Sequence, residues 1–417
     1  MSDFILHKKE YTTSFDLSEE ELIDLLKYPT SLIESIDLKN SSYKTGYYVG
    51  IAWLANSNKA LYVSPKFDNE FENVDYFLML SKGLQNPEML DFGENLFYID
   101  LDAKPIEIQS NKDIITPLLI VYFLQILRQI VKKGLKKDYH KIENNIYTNI
   151  KGKVLVSATL RQNIFRNRQL YNTCSYEEFS VNTVENQILK KALLFSIRFL
   201  KITHNKNKKF FSLIDYILPA FARVSDEIQV NDIKSYRNNS FYTEYKKGLE
   251  LARMILKRFG YNFNEIKNEE VTKIQPFWID MPKLFEFYVL GILKENLGRN
   301  NIQFQASANY GAIDFLRITK DKEMVIDAKY KSIYQGNKYE IEDIRQLSAY
   351  ARDKGALRAT AIPPENWAKT NLDCVIIYPD QNAESLEKFD DIYKQKKISQ
   401  FQNFYKAGIK IPMISNV

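Results

Sequence analysis

The stretch YGAIDFLRITKDKEMVIDAKYK, residues 310–331, decides how the chain is read. Two runs within it, around Ile313–Leu316 and Met324–Ile326, have the apolar, partly β-branched character of buried strands. Each nevertheless carries a carboxylate, Asp314 in the first and Asp327 in the second, and Lys329 follows two residues later. A buried charge is costly unless something pairs with it. Strand alternation puts Val325, Asp327 and Lys329 on one face, with Asp327 and Lys329 roughly 6–7 Å apart. Antiparallel pairing across the charged turn KDK would bring Asp314 beside Asp327. Two carboxylates so placed repel unless a cation sits between them, and hard oxygen ligands of this kind suit Mg²⁺ or Mn²⁺.

The flanking segments carry the same anomaly. Glu286 stands in LFEFYVLGIL, where its helical face also holds Val289, Leu290 and Leu293, so it is directed inward. Downstream, Gln346 and Tyr350 are spaced to stack on one helix face, with Asp343 one turn earlier. A lone D-x-K triplet is expected by chance, and an exposed ion pair on an edge strand would explain it. The joint order is harder to explain that way: an inward Glu, an Asp, Asp-x-Lys in an apolar strand, then Gln-x-x-x-Tyr.

The whole chain is consistent with a large intracellular protein. Its 417 residues allow two or three domains, and 45% hydrophobic with 26% charged residues is ordinary for a globular chain. With 27 Tyr and 26 Phe, a sparse disordered chain is excluded. The net charge of +6 tolerates a polyanionic partner without requiring one. Cys174 and Cys374, with His7, His140 and His204, make neither a disulfide framework nor a zinc spacing. The run PLLIVYFLQILRQIV, Pro117 to Val131, is interrupted by Gln125, Arg128 and Gln129, so it reads as a buried helix and not a membrane span. The charged start MSDFILHKKE has no apolar leader, and a cytoplasmic location is expected. Phosphate-binding glycine loops, G-x-S-x-G and H-E-x-x-H are missing, so this chain is not expected to bind nucleotide itself.

Three segments are expected. Residues 1–112 read as a β-rich mixed domain, with Ser18 and Glu21 in a capping-box arrangement and a hairpin joined by ANSNK. Residues 113–270 read as a mainly helical middle domain, entered at Thr116-Pro117 and carrying a basic strip near 132–168. Residues 271–417 run helix, strand, strand, helix, strand, which suits an α/β sheet flanked by helices.

Asp314 with Asp327-Ala328-Lys329 resembles the PD-(D/E)xK nuclease core. DAKYK together with LFEFYV is similar to the McrC family, the nuclease subunit of McrBC-type restriction systems. IKGKVLVSATLRQNIFRNRQ, CSYEEFSVNTVENQILKKAL and VIIYP are similar to that family's middle section and late core strand. The likeness is strongest from about residue 150 to 380. One departure is Ile313, where the family often has Pro before the first Asp; proline takes no part in the chemistry, so Asp314 keeps its place.

The resemblance implies a Mg²⁺-dependent DNA endonuclease. Asp314, Asp327 and the Ala328 backbone carbonyl would hold the metal, and Lys329 would position or help deprotonate the attacking water. Glu286 would orient that water or Lys329, while Gln346, Tyr350 and Lys331 would contact DNA. It also implies a separate McrB-like AAA+ GTPase or ATPase partner, on which this chain docks by its N-terminal region and whose hydrolysis it stimulates. The alternatives are a stand-alone repair or recombination nuclease, or a non-catalytic activator of an AAA+ ring.

Overall fold

In the computed structural model both runs of the quoted stretch are strands, and they pair antiparallel. The structure describes residues 4–83, 86, 96–100, 103–108, 115–203, 208–227, 243–258, 272–309, 311–319, 323–336, 338–383 and 396–415. The KDK turn, residues 320–322, therefore lies outside the described residues.

Strands β1 (Ile302–Ala308), β2 (Gly311–Ile318), β3 (Glu323–Ala328), β4 (Asp373–Pro379) and β5 (Phe404–Ile409) form one sheet in that order. The first three are antiparallel neighbours, whereas β3–β4 and β4–β5 are parallel. A parallel neighbour needs a long return connection. Between β3 and β4 that connection contains helix α2 (Ile341–Tyr350). Helix α1 (Met281–Leu297) precedes the sheet, capped by Asp280, whose carboxylate accepts the Lys283 N–H at 3.0 Å. Phe287 of α1 packs on Phe304, and Phe304 on Phe315, with tilted rings. Ile344 and Leu347 of α2 join Val325, Cys374 and Ile376 in a second core cluster. With helices on the sheet, the β4 sequence DCVIIYP can be apolar on both faces, and Val375, Ile376 and Ile377 are all fully buried.

By its contacts the chain divides into two compact units, residues 1–114 with 268–417, and residues 115–267. In the first unit a second sheet has the order Ile5–Lys9, Ala60–Ser64, Tyr48–Trp53, Phe277–Asp280, Phe97–Ile99. The Tyr48–Trp53 and Ala60–Ser64 hairpin and the Ser18–Glu21 capping box stand where the sequence places them. Phe277–Asp280 inserts between strands of the first hundred residues and leads directly into α1. Helix Tyr76–Gly83 also packs on α1. Gly291 makes that approach possible, since a Cβ there would lie 2.4 Å from the Lys82 carbonyl oxygen.

The second unit contains helices Ile115–Lys133, Val184–Thr203 and Thr243–Arg258. The basic segment after the first helix passes through a short irregular stretch, residues 134–137, into a sheet. Asp138–Tyr147 pairs along its whole length with Tyr171–Ser180, and Lys153–Val154 adds a short third strand. Both faces of Asp138–Tyr147 are largely solvated, so its sequence lacks the alternation that marks a half-buried strand. Among the described residues no helix is long and apolar enough to cross a membrane.

A buried polar cluster ties the start of the chain to the residue after the D-x-K triplet. Tyr330 donates its hydroxyl to Glu10 Oε1 at 2.7 Å, and the Lys66 N–H donates to the same oxygen at 3.0 Å. Lys66 Nζ donates to the Tyr330 carbonyl at 2.9 Å and lies 3.8 Å from the Tyr330 ring centre. Burial raises the Glu10 carboxyl to about 6 against the opposing pull of Lys66. Burial likewise lowers Lys66 to about 8. Removing one partner of such a pair strands the other. Glu10→Ala is expected to cost about 3 kcal/mol in urea unfolding at pH 7, with part of the loss recovered in Glu10→Ala/Tyr330→Phe.

Candidate carboxylate and lysine site

The β2–β3 register pairs Phe315 with Ile326, so Asp314 falls opposite Asp327 one step further along the ladder. Asp314 Oδ2 accepts the Ala328 backbone N–H at 2.9 Å. Lys329 continues the β3 line, donating its N–H to the Ile377 carbonyl at 2.8 Å. Its ammonium lies 2.7 Å from Asp327 Oδ2 and donates to Gln346 Oε1 at 2.9 Å. Asp327 is 2% exposed, and Lys329 is the charge partner of its buried Oδ2. Glu286 of α1 accepts a hydrogen bond on Oε1 from Gln305 Nε2.

Burial is the first cause raising all three carboxyls. Asp314 is pushed well above the carboxylate range, first by burial and then by Asp327 and Glu286. Asp327 is raised by burial despite the opposing Lys329. Burial moves Glu286 to about 7, against the stabilising Gln305 hydrogen bond and with the repulsion of Asp327. Burial would lower Lys329, but Asp327, with Asp343 and Asp314, outweighs it and holds the ammonium above its ordinary value. Its charge partners thus favour the ammonium form of Lys329.

Of the residues singled out from sequence, Asp314, Asp327, Lys329, Glu286 and Gln346 are linked by hydrogen bonds or by direct electrostatic interaction. Tyr350 joins through its hydroxyl, 3.4 Å from Gln346 Nε2. Lys331 is engaged elsewhere: it pairs with Glu340 and donates to Asp343 at 3.0 and 3.2 Å. The sequence marks Asp343 by its spacing but gives it no role, and Gln305 is not singled out. Asp343 is buried, accepts from Lys331 and the Tyr334 hydroxyl, and lies 3.8 Å from Lys329 Nζ. Its position one turn before Gln346 was the available signal. Gln305 gave none, because in an alternating strand it reads as a solvent-facing residue.

A divalent cation suits this donor set on one observation. Asp314 and Asp327 face each other across neighbouring strands and burial raises both carboxyls, so ionising both without a counter-charge is costly. A divalent cation would offset the charge of both, with the Ala328 carbonyl as a further oxygen. Among the described residues no three Asp, Glu, His or Cys side chains form a ready-made cage, so the backbone and solvent would complete the coordination.

The sequence matches the family described as McrBC 5-methylcytosine restriction system component over residues 43–360. The chain belongs to that family. The match to the McrBC component family spans every site residue from Glu286 to Tyr350. No curated protein matches the chain. Among solved structures, a chain in the refined half-complex from the tetradecameric assembly of Thermococcus gammatolerans McrB AAA+ hexamers with bound McrC is 16% identical, with 97% of this chain and 94% of that chain covered and a TM-score of 0.37. A chain in the cryo-EM structure of the Thermococcus gammatolerans McrBC complex is also 16% identical, covering 70% of this chain and 88% of that one at a TM-score of 0.31.

In this McrBC family member the site carries a stability cost that substitution can expose. The raised Asp314 pKa means that, above it, folding must accommodate a carboxylate the unfolded chain ionises freely. Asp314→Asn removes that cost while a side-chain oxygen still accepts from Ala328. Without divalent cations the variant is expected to be about 1–2 kcal/mol more stable at pH 8. The gain should vanish as pH falls through the raised pKa toward the ordinary 3.8, where wild type also carries the proton. Urea unfolding at the two ends of that range measures it.

Proposed function

We propose that this McrBC-family chain is the nuclease subunit of its restriction system, a Mg²⁺-dependent endonuclease with a PD-(D/E)xK core that cuts DNA. The observation that supports this most is the juxtaposition of Asp314 and Asp327 across neighbouring strands, with the Lys329 ammonium on Asp327. Asp314, Asp327 and the Ala328 carbonyl would hold Mg²⁺, with Mn²⁺ as a substitute. When bound, the cation supplies Lewis-acid polarisation of the phosphoryl oxygen and a more acidic water.

The protein's own groups account for the rest of the step. Lys329, cationic and held between Asp327 and Gln346, offsets charge on the scissile phosphate. Glu286, raised to about 7, is suited to take the proton of the attacking water at neutral pH. The water oxygen forms the new bond to phosphorus as the bond to the leaving sugar oxygen breaks, and that oxygen takes a proton from solvent. Gln346 and Tyr350 stand where a DNA backbone would approach Lys329. Lys331 serves better as a brace for Asp343 than as a DNA contact, because its charge is already paired.

The partner is a McrB-like AAA+ motor, which reads and moves along DNA and whose hydrolysis this chain stimulates. The N-terminal region is one docking surface by family analogy. The connecting end of the Asp138–Tyr147 and Tyr171–Ser180 hairpin is another, on physical grounds. Ile150, Val156, Phe165 and Leu170 there are 65%, 65%, 79% and 57% exposed, beside Lys151, Lys153, Arg161 and Arg166. Several basic side chains nearer the helices already have acidic partners, Lys133 with Glu244, Lys136 with Glu185 and Lys141 with Glu143. Large exposed apolar groups suit a protein surface better than a phosphate backbone.

Two experiments test this reading. Plasmid cleavage in Mg²⁺ with the partner and GTP or ATP should fall by about 10³-fold or more in Asp327→Ala. Mg²⁺ should raise the melting temperature of wild type but not of that variant, and cutting at the wild-type rate by Asp327→Ala overturns the site. Phe165→Asp with Ile150→Asp should leave the melting temperature within a degree or so, as surface changes do. The same pair should abolish stimulation of partner hydrolysis if the hairpin end docks.

A further inference from the structure

We propose that Gln305 is a positioning residue of this site: its amide fixes Glu286 through Oε1 and leaves Oε2 as the oxygen that receives the proton of the attacking water. The inference rests on the nuclease reading above and adds a residue that neither the sequence motif nor the family likeness marks.

The backbone is the first indication. Gln305 has φ +48°, a left-handed conformation that side chains with a Cβ adopt at a cost. The other described non-glycine residues with positive φ, Tyr11, Ser41, Asn56, Thr148, Asn167 and Asn403, lie in turns or bends. Gln305 alone among them lies inside a strand. Glycine would be at ease there, yet the position holds a long amide.

The sheet shows what that conformation does. The β1–β2 register is the same on either side, with Phe304 opposite Phe315 and Ala306 opposite Ile313. Gln305 therefore faces Asp314 across the ladder. Phe304 packs on Phe287 of α1, while Ala306 and Ile313, two residues along, join the core cluster that contains Ile344 and Leu347 of α2. Residues two apart on a regular strand share a face. The alternation thus slips in both strands at Gln305 and Asp314, which takes the Gln305 side chain off the solvent-facing pattern and delivers Nε2 to Glu286. Strain kept at a site whose side chain contacts a working carboxylate is the expected signature of a functional constraint.

Gln305→Gly and Gln305→Met separate this role from a structural one. Glycine relieves the left-handed backbone and removes the amide; methionine keeps length and backbone conformation but has no donor. Both are measured as full chains with the AAA+ partner, nucleotide, Mg²⁺ and plasmid, beside wild type and Asp327→Ala. The expected result is a kcat lowered about tenfold or more in both, KM for DNA unchanged, and a Gln305→Gly melting temperature at or above that of wild type. Wild-type kcat in either variant overturns the proposal, as does a loss that only tracks the folded fraction or a failure of both variants to fold. Cleavage that does not depend on Asp327 instead overturns the nuclease reading itself, and the proposal with it.

Discussion

Two carboxylates set opposite each other in a buried sheet form the constraint around which the rest of this unit is arranged. Ionising one opposes ionising the other, and burial opposes both. The fold answers with the Ala328 N–H on Asp314 and the Lys329 ammonium on Asp327. Neither partner is optional while both acids stay where they are. The same arrangement leaves negative charge concentrated at one point, which is what a hard divalent cation would neutralise.

The five residues from Asp327 to Lys331 show how closely the site is built into the scaffold. Asp327 and Lys329 face the acids and α2. Tyr330, between Lys329 and Lys331, turns into the core and is held by Glu10 and Lys66 from the first part of the chain. Lys331 braces Asp343, which also touches Lys329 electrostatically. A shift of this strand would break contacts with α2 and the N-terminal sheet region together. Placing reactive side chains on a rigid strand with locked neighbours is how positioning to fractions of an ångström is sustained.

The hairpin unit is physically different. Its Asp138–Tyr147 strand is largely solvated, although Thr173, Cys174 and Ser175 of the paired strand are buried, and its connecting end presents large exposed apolar side chains. The candidate site and the hairpin end are thus made of opposite materials, one buried and charged, the other exposed and apolar.

Much of the site was legible along the chain, because carboxylates inside apolar runs stand out and strand alternation says which of them can meet. Asp314, Asp327 and Lys329 came from that pattern, and Glu286 from its apolar helical face. The hairpin strands were not legible, since the largely solvated Asp138–Tyr147 strand carries no buried period. The insertion of Phe277–Asp280 into a sheet begun by the first hundred residues, the Glu10–Tyr330 bond and the reach of Gln305 to Glu286 join residues far apart in sequence or depend on a local backbone slip. The sequence by itself determined which residues are costly to bury. Only the tertiary structure decided what each is paired with, because pairing depends on strand register and backbone angle, which side-chain periodicity does not encode.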